Sequence, residues 1–323
     1  MGLTGLALLL LAGLGVALAA AVGHTLHTLR HPPRRAYAWA LARGAPSDPS
    51  EVRAPEIPGG LPFESWPLRS RGADLPVWDV HGLRPDGPVI IFTHGWGESR
   101  TVALARLPHL APLASRIILW DLPGHGDAGG VSTLGAREAD DLLALIDRLG
   151  QSPPIFLYGY SLGAGISIAA AAAGRGDIAA VVAEAPYRVP IVPARNVLRA
   201  AALPWRIPLP IAMAILGLRL GHGLSWASER YGTPFDRARL AANVGVPLLV
   251  LHGENDAVSP IADGRAIAAA APRGAIAEIP GAGHLDIWTT PESAALARAA
   301  LAGFIDRVAS PAAATPSAPP AGR

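Results

Sequence analysis

Gly159-Tyr160-Ser161-Leu162-Gly163 is the stretch on which the reading turns. Before it, Ile155-Phe156-Leu157-Tyr158 is continuously apolar and short, as a strand buried on both faces is. After it, Gly163 to Ala173 is rich in Ala, as a helix is. A G-x-S-x-G pentapeptide alone is weak, because Gly and Ser are common. Set between a buried strand and a helix, it predicts a sharp, strained turn that lifts the Ser161 hydroxyl to a helix N-terminus. There the helix dipole and free N–H groups favour developing negative charge.

The same alternation extends outward. Val89 to Phe92, Ile117 to Trp120, Ile178 to Ala183, Pro247 to Leu251 and Ala275 to Ile279 are further short apolar runs. Between them, Ala139, Leu142, Leu143, Ile146 and Leu149 recur at helical spacing, with Asp140, Asp141, Asp147 and Arg148 interleaved. Glu292 to Val308 reads as a last amphipathic helix, and Phe63 to Gly82 as an antiparallel pair leading into the sheet. The expected class is α/β: a mostly parallel central sheet with helices on both faces. Residues 186–240 break the alternation with crowded prolines and an apolar helical piece from Ile211 to Leu220. They read as a helical cap over the carboxyl ends of the strands.

A serine hydroxyl attacks an acyl carbon quickly only with a base beside it, and that base needs an orienting carboxylate. His284 lies in the Gly-rich loop Pro280-Gly281-Ala282-Gly283 after one strand and before the last helix. Asp256 follows the strand Pro247 to Leu251 and falls between Ser161 and His284 in the chain. Glu254 is its nearest rival, Asp263 and Asp286 are weaker ones, and Glu184 reads first as a polar residue at the sheet-to-cap junction. His94-Gly95-Trp96-Gly97 follows strand Val89 to Thr93. The backbone N–H groups of Trp96 and Leu162 are therefore the candidate oxyanion donors.

The order HGWG (94–97), WDLPGHGDA (120–128), GYSLG (159–163), LHGENDAVSP (251–260) and GAGH (281–284) resembles the α/β-hydrolase superfamily over roughly residues 62–308. The HG-type loop, the D-x-x-G-H-G loop and a cap after the sixth strand resemble its serine aminopeptidase and monoacylglycerol-lipase-like branch. The resemblance implies an α/β-hydrolase fold and a Ser–His–Asp triad with no metal and no organic cofactor. It gives His125, Asp127, His94 and His252 no base role. Dehalogenase chemistry is disfavoured, since it would place Asp where Ser161 stands.

Composition bounds the rest. The chain has 323 residues and no Cys, which removes disulfides, thiolate metal sites and cysteine nucleophiles. All 27 basic residues are Arg, and a formal charge of +2 is too weak a field to argue for nucleic acid. Gly2 to Gly23 carries almost no polar side chain and would span roughly 33 Å as a helix, enough for a hydrocarbon core. An uncleaved transmembrane anchor over residues 1–29 is expected. A cleaved signal peptide fits less well, because no Lys or Arg precedes the run. Arg30, Arg34, Arg35 and Arg43 follow it, and the first acid is Asp48. The positive-inside rule then puts the catalytic domain on the cytoplasmic side, in the inner membrane of a bacterium.

Residues 30–61 read as a basic juxtamembrane and Pro-rich linker that packs no core, 62–309 as the catalytic domain, and 310–323 as a disordered tail. The expectation is a membrane-anchored serine hydrolase acting on a small-molecule, lipid-like acyl ester. Alternatives are a serine aminopeptidase, an acyltransferase with the same triad, or a non-catalytic membrane scaffold. The peptidase reading is weakened by the cap, whose only acids are Glu229 and Asp236.

Overall fold

The short apolar runs pair as expected. The computed structural model describes residues 2–35, 42, 44–150, 153–230 and 232–309. The expected tail at 310–323 and the juxtamembrane Arg43 lie outside them. Eight strands form one sheet: β1 (Phe63–Ser70), β2 (Ala73–His81), β3 (Val89–Thr93), β4 (Arg116–Trp120), β5 (Ile155–Tyr160), β6 (Ile178–Glu184), β7 (Leu248–Gly253) and β8 (Gly274–Ile279). Their order is β1-β2-β4-β3-β5-β6-β7-β8. The β1–β2 and β2–β4 pairs are antiparallel, and every later pair is parallel.

Strand alternation divides the core into two. Ile90, Phe92, Phe156, Tyr158, Val182 and Leu251 pack on one face of the sheet. Val89, Ile91, Ile155, Leu157, Val181 and Val250 pack on the other. Successive side chains point to opposite faces, so a strand covered on both sides must be apolar throughout.

The helices are α1 (Leu3–Arg30), the single turn α2 (Leu107–Leu110), α3 (Glu138–Leu149), α4 (Leu162–Ala171), α5 (Ile191–Ala200), α6 (Pro208–Arg219), α7 (Arg237–Ala241), α8 (Ile261–Ala270) and α9 (Pro291–Ala309). One residue assigned to the polar face of α3 is buried. The Asp141 carboxylate pairs with the Arg71 guanidinium and accepts the Ser70 hydroxyl at 2.5 Å, so it ties α3 to the β1–β2 turn.

Two expected boundaries move. Within the 30–61 stretch expected to be a linker, Val52, Ile57 and Leu61 are buried in the same cluster as Trp78, Val80, Phe304 and Ile305. The segment turns at Pro49–Glu51, where the Asp48 side chain caps the Ser50 N–H at 2.8 Å and Glu51 accepts the Ser47 N–H at 2.8 Å. Proline restricts the backbone without preventing burial, and three apolar side chains spaced among the prolines join the core on that face of the sheet. The cap also ends before 240. Phe235 packs in the cap cluster, whereas Ala238 and Ala241 of α7 pack with the main sheet.

Truncating Ile57 to Ala should therefore cost about 2–5 kcal/mol, as for a core site. Denaturant unfolding of the full chain in detergent measures it. A loss within about 0.5 kcal/mol, ordinary for a surface position, would return this segment to a linker.

Candidate active site

The parallel register collects the chemistry at one edge. Thr93 lies beside Gly159, Tyr160 beside Glu184, Glu184 beside Leu251, and Gly253 beside Ile279. The loops leaving β3, β5, β7 and β8 consequently meet at the carboxyl ends of the strands. This is where ligands bind in open α/β sheets.

Ser161 sits at the turn from β5 into α4 with φ 52° and ψ −109°, backbone that a side chain adopts only when its surroundings force it. The flanking glycines are required by space. A Cβ on Gly159 would lie 2.1 Å from the Gly163 carbonyl oxygen, and one on Gly163 would lie 1.9 Å from that of Thr93. The structure brings three of the expected residues into one hydrogen-bonded line. His284 Nε2 is 3.1 Å from Ser161 Oγ, and His284 Nδ1 is 2.7 Å from Asp256 Oδ2. Asp256 Oδ1 accepts the backbone N–H groups of Val258 at 2.8 Å and Ser259 at 2.7 Å. Burial pushes the Asp256 carboxyl up, but hydrogen bonds from His252 and His284 outweigh it and bring it down to about 2. With the carboxylate ionised, His284 is held with its Nδ1 proton toward Asp256 and Nε2 free to accept the serine proton.

The rivals are occupied elsewhere. Glu254 is exposed, Asp263 accepts the Arg188 N–H at 3.0 Å, and Asp286 accepts the Gly283 N–H at 2.5 Å within its own loop. Glu184 is buried in a network: Arg106 donates to both its oxygens at 2.9 and 2.5 Å, Tyr158 donates at 2.7 Å and Trp288 at 3.1 Å. Burial favours its neutral form, yet Arg106 outweighs that and holds it ionised. The Arg106 guanidinium also lies 4.8 Å over the Tyr160 ring, whose hydroxyl donates to the His284 carbonyl at 3.2 Å. The network thus underlies the nucleophile turn and the His284 loop together.

His94 accepts the Leu122 N–H at 3.0 Å, and His125 Nδ1 lies 3.0 Å from the Pro123 carbonyl, with burial lowering His125 to about 4. Asp127 pairs with Arg100 at 2.9 Å. These groups shape the loop after β4. His252, given no base role, lies 2.8 Å from the Ser259 carbonyl and 3.3 Å from Asp256 Oδ2, the same carboxylate oxygen that His284 contacts.

Trp96 and Leu162 line the same cavity as Ser161 and His284. Leu162 is the first residue of α4, so its N–H has no acceptor within the helix. Gly95 lets the Trp96 loop close in, since a Cβ there would lie 3.3 Å from Ser161 Cβ. The cavity measures about 460 Å³ and is walled by cap residues including Tyr187, Pro190, Val197 and Leu203. Its other wall was unforeseen: Ala21, His24, Thr25, Thr28 and Leu29 of α1 line it. The trace in the sequence is the polar set His24, Thr25 and Thr28 near the end of an otherwise apolar helix, with Thr28 four residues after His24 and three after Thr25 and so on their side of the helix.

Among the described residues no cluster of His, Asp or Glu could hold a metal ion. Helix α1 is long and apolar enough to cross a membrane.

Residues 90–299, more than half of the chain, match the alpha/beta hydrolase family. Over 115 residues, 35% of its length, the chain is 30% identical to the magnesium-chelatase 30 kDa subunit of Rhodobacter capsulatus; the match spans 40% of that relative. An esterase from Pyrococcus furiosus superposes with a TM-score of 0.59 at 17% identity, over 76% of this chain and 91% of its own. An esterase from Thermogutta terrifontis gives 0.55 at 23% identity, over 76% and 100%. A membrane phospholipase A gives 0.58 at 16% identity, over 95% and 98%. At these identities the structural likeness is one of fold. With the eight-stranded sheet and the turn at Ser161, the match places this chain in the alpha/beta hydrolase family.

Proposed function

We propose that this protein is a membrane-anchored serine hydrolase that cleaves lipid-like carboxylic esters through an acyl-enzyme. The observation that carries the reading is the Ser161–His284–Asp256 line at the base of a largely apolar cavity of about 460 Å³, a volume suited to a small-molecule ligand. Ser161 Oγ attacks the acyl carbonyl as His284 Nε2 takes its proton. The backbone N–H groups of Trp96 and Leu162 stabilise the resulting oxyanion. His284 then protonates the leaving alcohol, and water releases the acyl group by the same route in reverse. Asp256 stays ionised throughout and fixes the imidazole tautomer.

The apolar lining and the helix α1 that forms one wall favour an amphiphilic acyl substrate held at a membrane. The esterases and the phospholipase among the fold relatives are consistent with ester chemistry. A peptidase has less support. Of the two cap acids, Glu229 pairs with Arg195 and Asp236 with Arg188, and neither lines the cavity for a substrate amine. The Arg residues after α1 carry the proposal that the catalytic domain faces the cytoplasm.

Fluorophosphonate labelling of the full chain in detergent, with p-nitrophenyl esters of graded chain length, tests this. Labelling and turnover are expected in the wild type, with a loss of about 10⁴- to 10⁶-fold in kcat for Ser161→Ala. Turnover rising with acyl length would support a lipid-like substrate, and a folded wild type that takes no label would remove the triad. Asp256 also makes a pH prediction. Its folded pKa of about 2 lies below the unfolded value near 3.8, so it stabilises the fold above about pH 4 and that contribution is lost as pH falls toward about 2. Asp256→Asn should flatten the stability curve across that window, as read by denaturant titrations at each pH.

A further inference from the structure

The chain between α1 and the catalytic domain is fastened to the loop that carries the Trp96 amide. The Trp96 indole N–H donates to the Leu29 carbonyl at 3.1 Å. Two residues further along the loop, Glu98 pairs with the Arg35 guanidinium, and the Ser99 hydroxyl donates to the Arg35 carbonyl at 2.5 Å. Pro33 lies over Gly97, where an added Cβ would come within 3.6 Å of its ring. The same stretch is anchored beyond that loop. The Ser132 N–H donates to the Arg30 carbonyl at 2.9 Å, and Arg34 donates to the Ala128 carbonyl at 3.0 Å.

These bonds grip both sides of one peptide. On its inner side Gly95 approaches the Ser161 side chain; on its outer side the loop borders the cavity, where Leu29–Arg35 adds to the loop's own bonds, Glu98 N–H to the Gly95 carbonyl at 3.2 Å and Arg100 N–H to Asp121 at 2.7 Å. An oxyanion donor acts through its preset direction, and a loop free to lift by an ångström loses much of that effect. The far end of the fastening is rigid too. Leu29 packs in the cap cluster with Leu134, Val189 and Trp226, and Trp96 packs against that cluster.

We infer that residues Leu29–Arg35 are a positioning element of the active site, holding the 95–99 loop so that the Trp96 backbone N–H faces the oxyanion. This rests on the proposed hydrolase reading, in which that N–H is a donor. Leu29 and Arg35 line the cavity, but their bonds go to the loop, and through it they would act on the reacting centre. The Arg35 guanidinium is partly exposed, but the Glu98 carboxylate is nearly buried, so removing Arg35 alone leaves a charge without its partner and costs stability as well as positioning. The positioning effect should fall on the transition state, where loss of an oxyanion interaction lowers kcat and leaves KM nearly unchanged.

The test uses the full chain in detergent with p-nitrophenyl butyrate as probe. Trp96→Phe keeps an aromatic ring and removes the indole N–H; Arg35→Gln, Glu98→Gln and their double variant form a coupling cycle. Expected are a drop of about tenfold in kcat for Trp96→Phe with KM within about twofold, and a matching drop in the rate of fluorophosphonate labelling. The Arg35 and Glu98 single variants should each lower kcat, and the double should be no worse than either single. The double variant, which leaves no buried carboxylate without its partner, should shift thermal unfolding by no more than a few degrees. Wild-type kcat in Trp96→Phe, effects confined to KM, or independent effects in the cycle would overturn the inference while wild-type turnover stands. If Trp96→Phe does not fold, the coupling cycle decides alone. Absence of labelling and turnover in the wild type would instead remove the hydrolase reading beneath it.

Discussion

One tight backbone approach governs the site around it. Where β5 turns into α4, the Gly163 Cα faces the Thr93 carbonyl with no room for a side chain, and Ser161 is held at positive φ between strand and helix. Such strain persists only when the surroundings over-determine it. Here the surroundings are strands β3 and β6 on either side, with the Ser161 N–H bonded to the Glu184 carbonyl at 2.8 Å. The serine can stand out at the sheet edge because its neighbours leave the chain no alternative path.

A second constraint lies directly beneath. Glu184 ends β6 and is wholly buried, so its charge is tolerable only with Arg106, Tyr158 and Trp288 donating to it. These donors come from separate parts of the chain: α2's preceding turn, β5 and the loop before α9. Through Tyr160 the network also reaches the carbonyl of His284. The Ser161 turn and the His284 loop are thereby referenced to one rigid centre. A hydrogen bond as long as 3.1 Å between Ser161 and His284 suits a resting site that tightens when substrate binds.

The third layer joins this site to the N-terminal helix. The last turns of α1 wall the cavity, and the residues after it bind the 95–99 and 126–132 loops. The N-terminal helix and the site are continuous in space, even though Gly2 to Gly23 and the strand-end motifs differ so sharply in composition.

Much of this was legible. Short apolar runs alternating with helical periods implied the parallel sheet, because burial on both faces demands it. The G-x-S-x-G setting located the turn at Ser161, and chain order with loop position selected Asp256 and His284. What escaped were contacts between segments distant in sequence. The proline density of residues 30–61 points to a linker, while burial of Val52, Ile57 and Leu61 depends on a sheet face that only the fold creates. Glu184 was rated an ordinary junction residue because its partner Arg106 lies 78 positions away. His24, Thr25 and Thr28 carried no legible role, since nothing local says which face of a helix meets a cavity. Local pattern determined the elements and the residue types at their ends, for these follow from periodicity and backbone sterics. Which ends meet, which charge is neutralised and which helix closes the pocket were decided only by tertiary packing, because burial and electrostatic pairing are properties of neighbours in space.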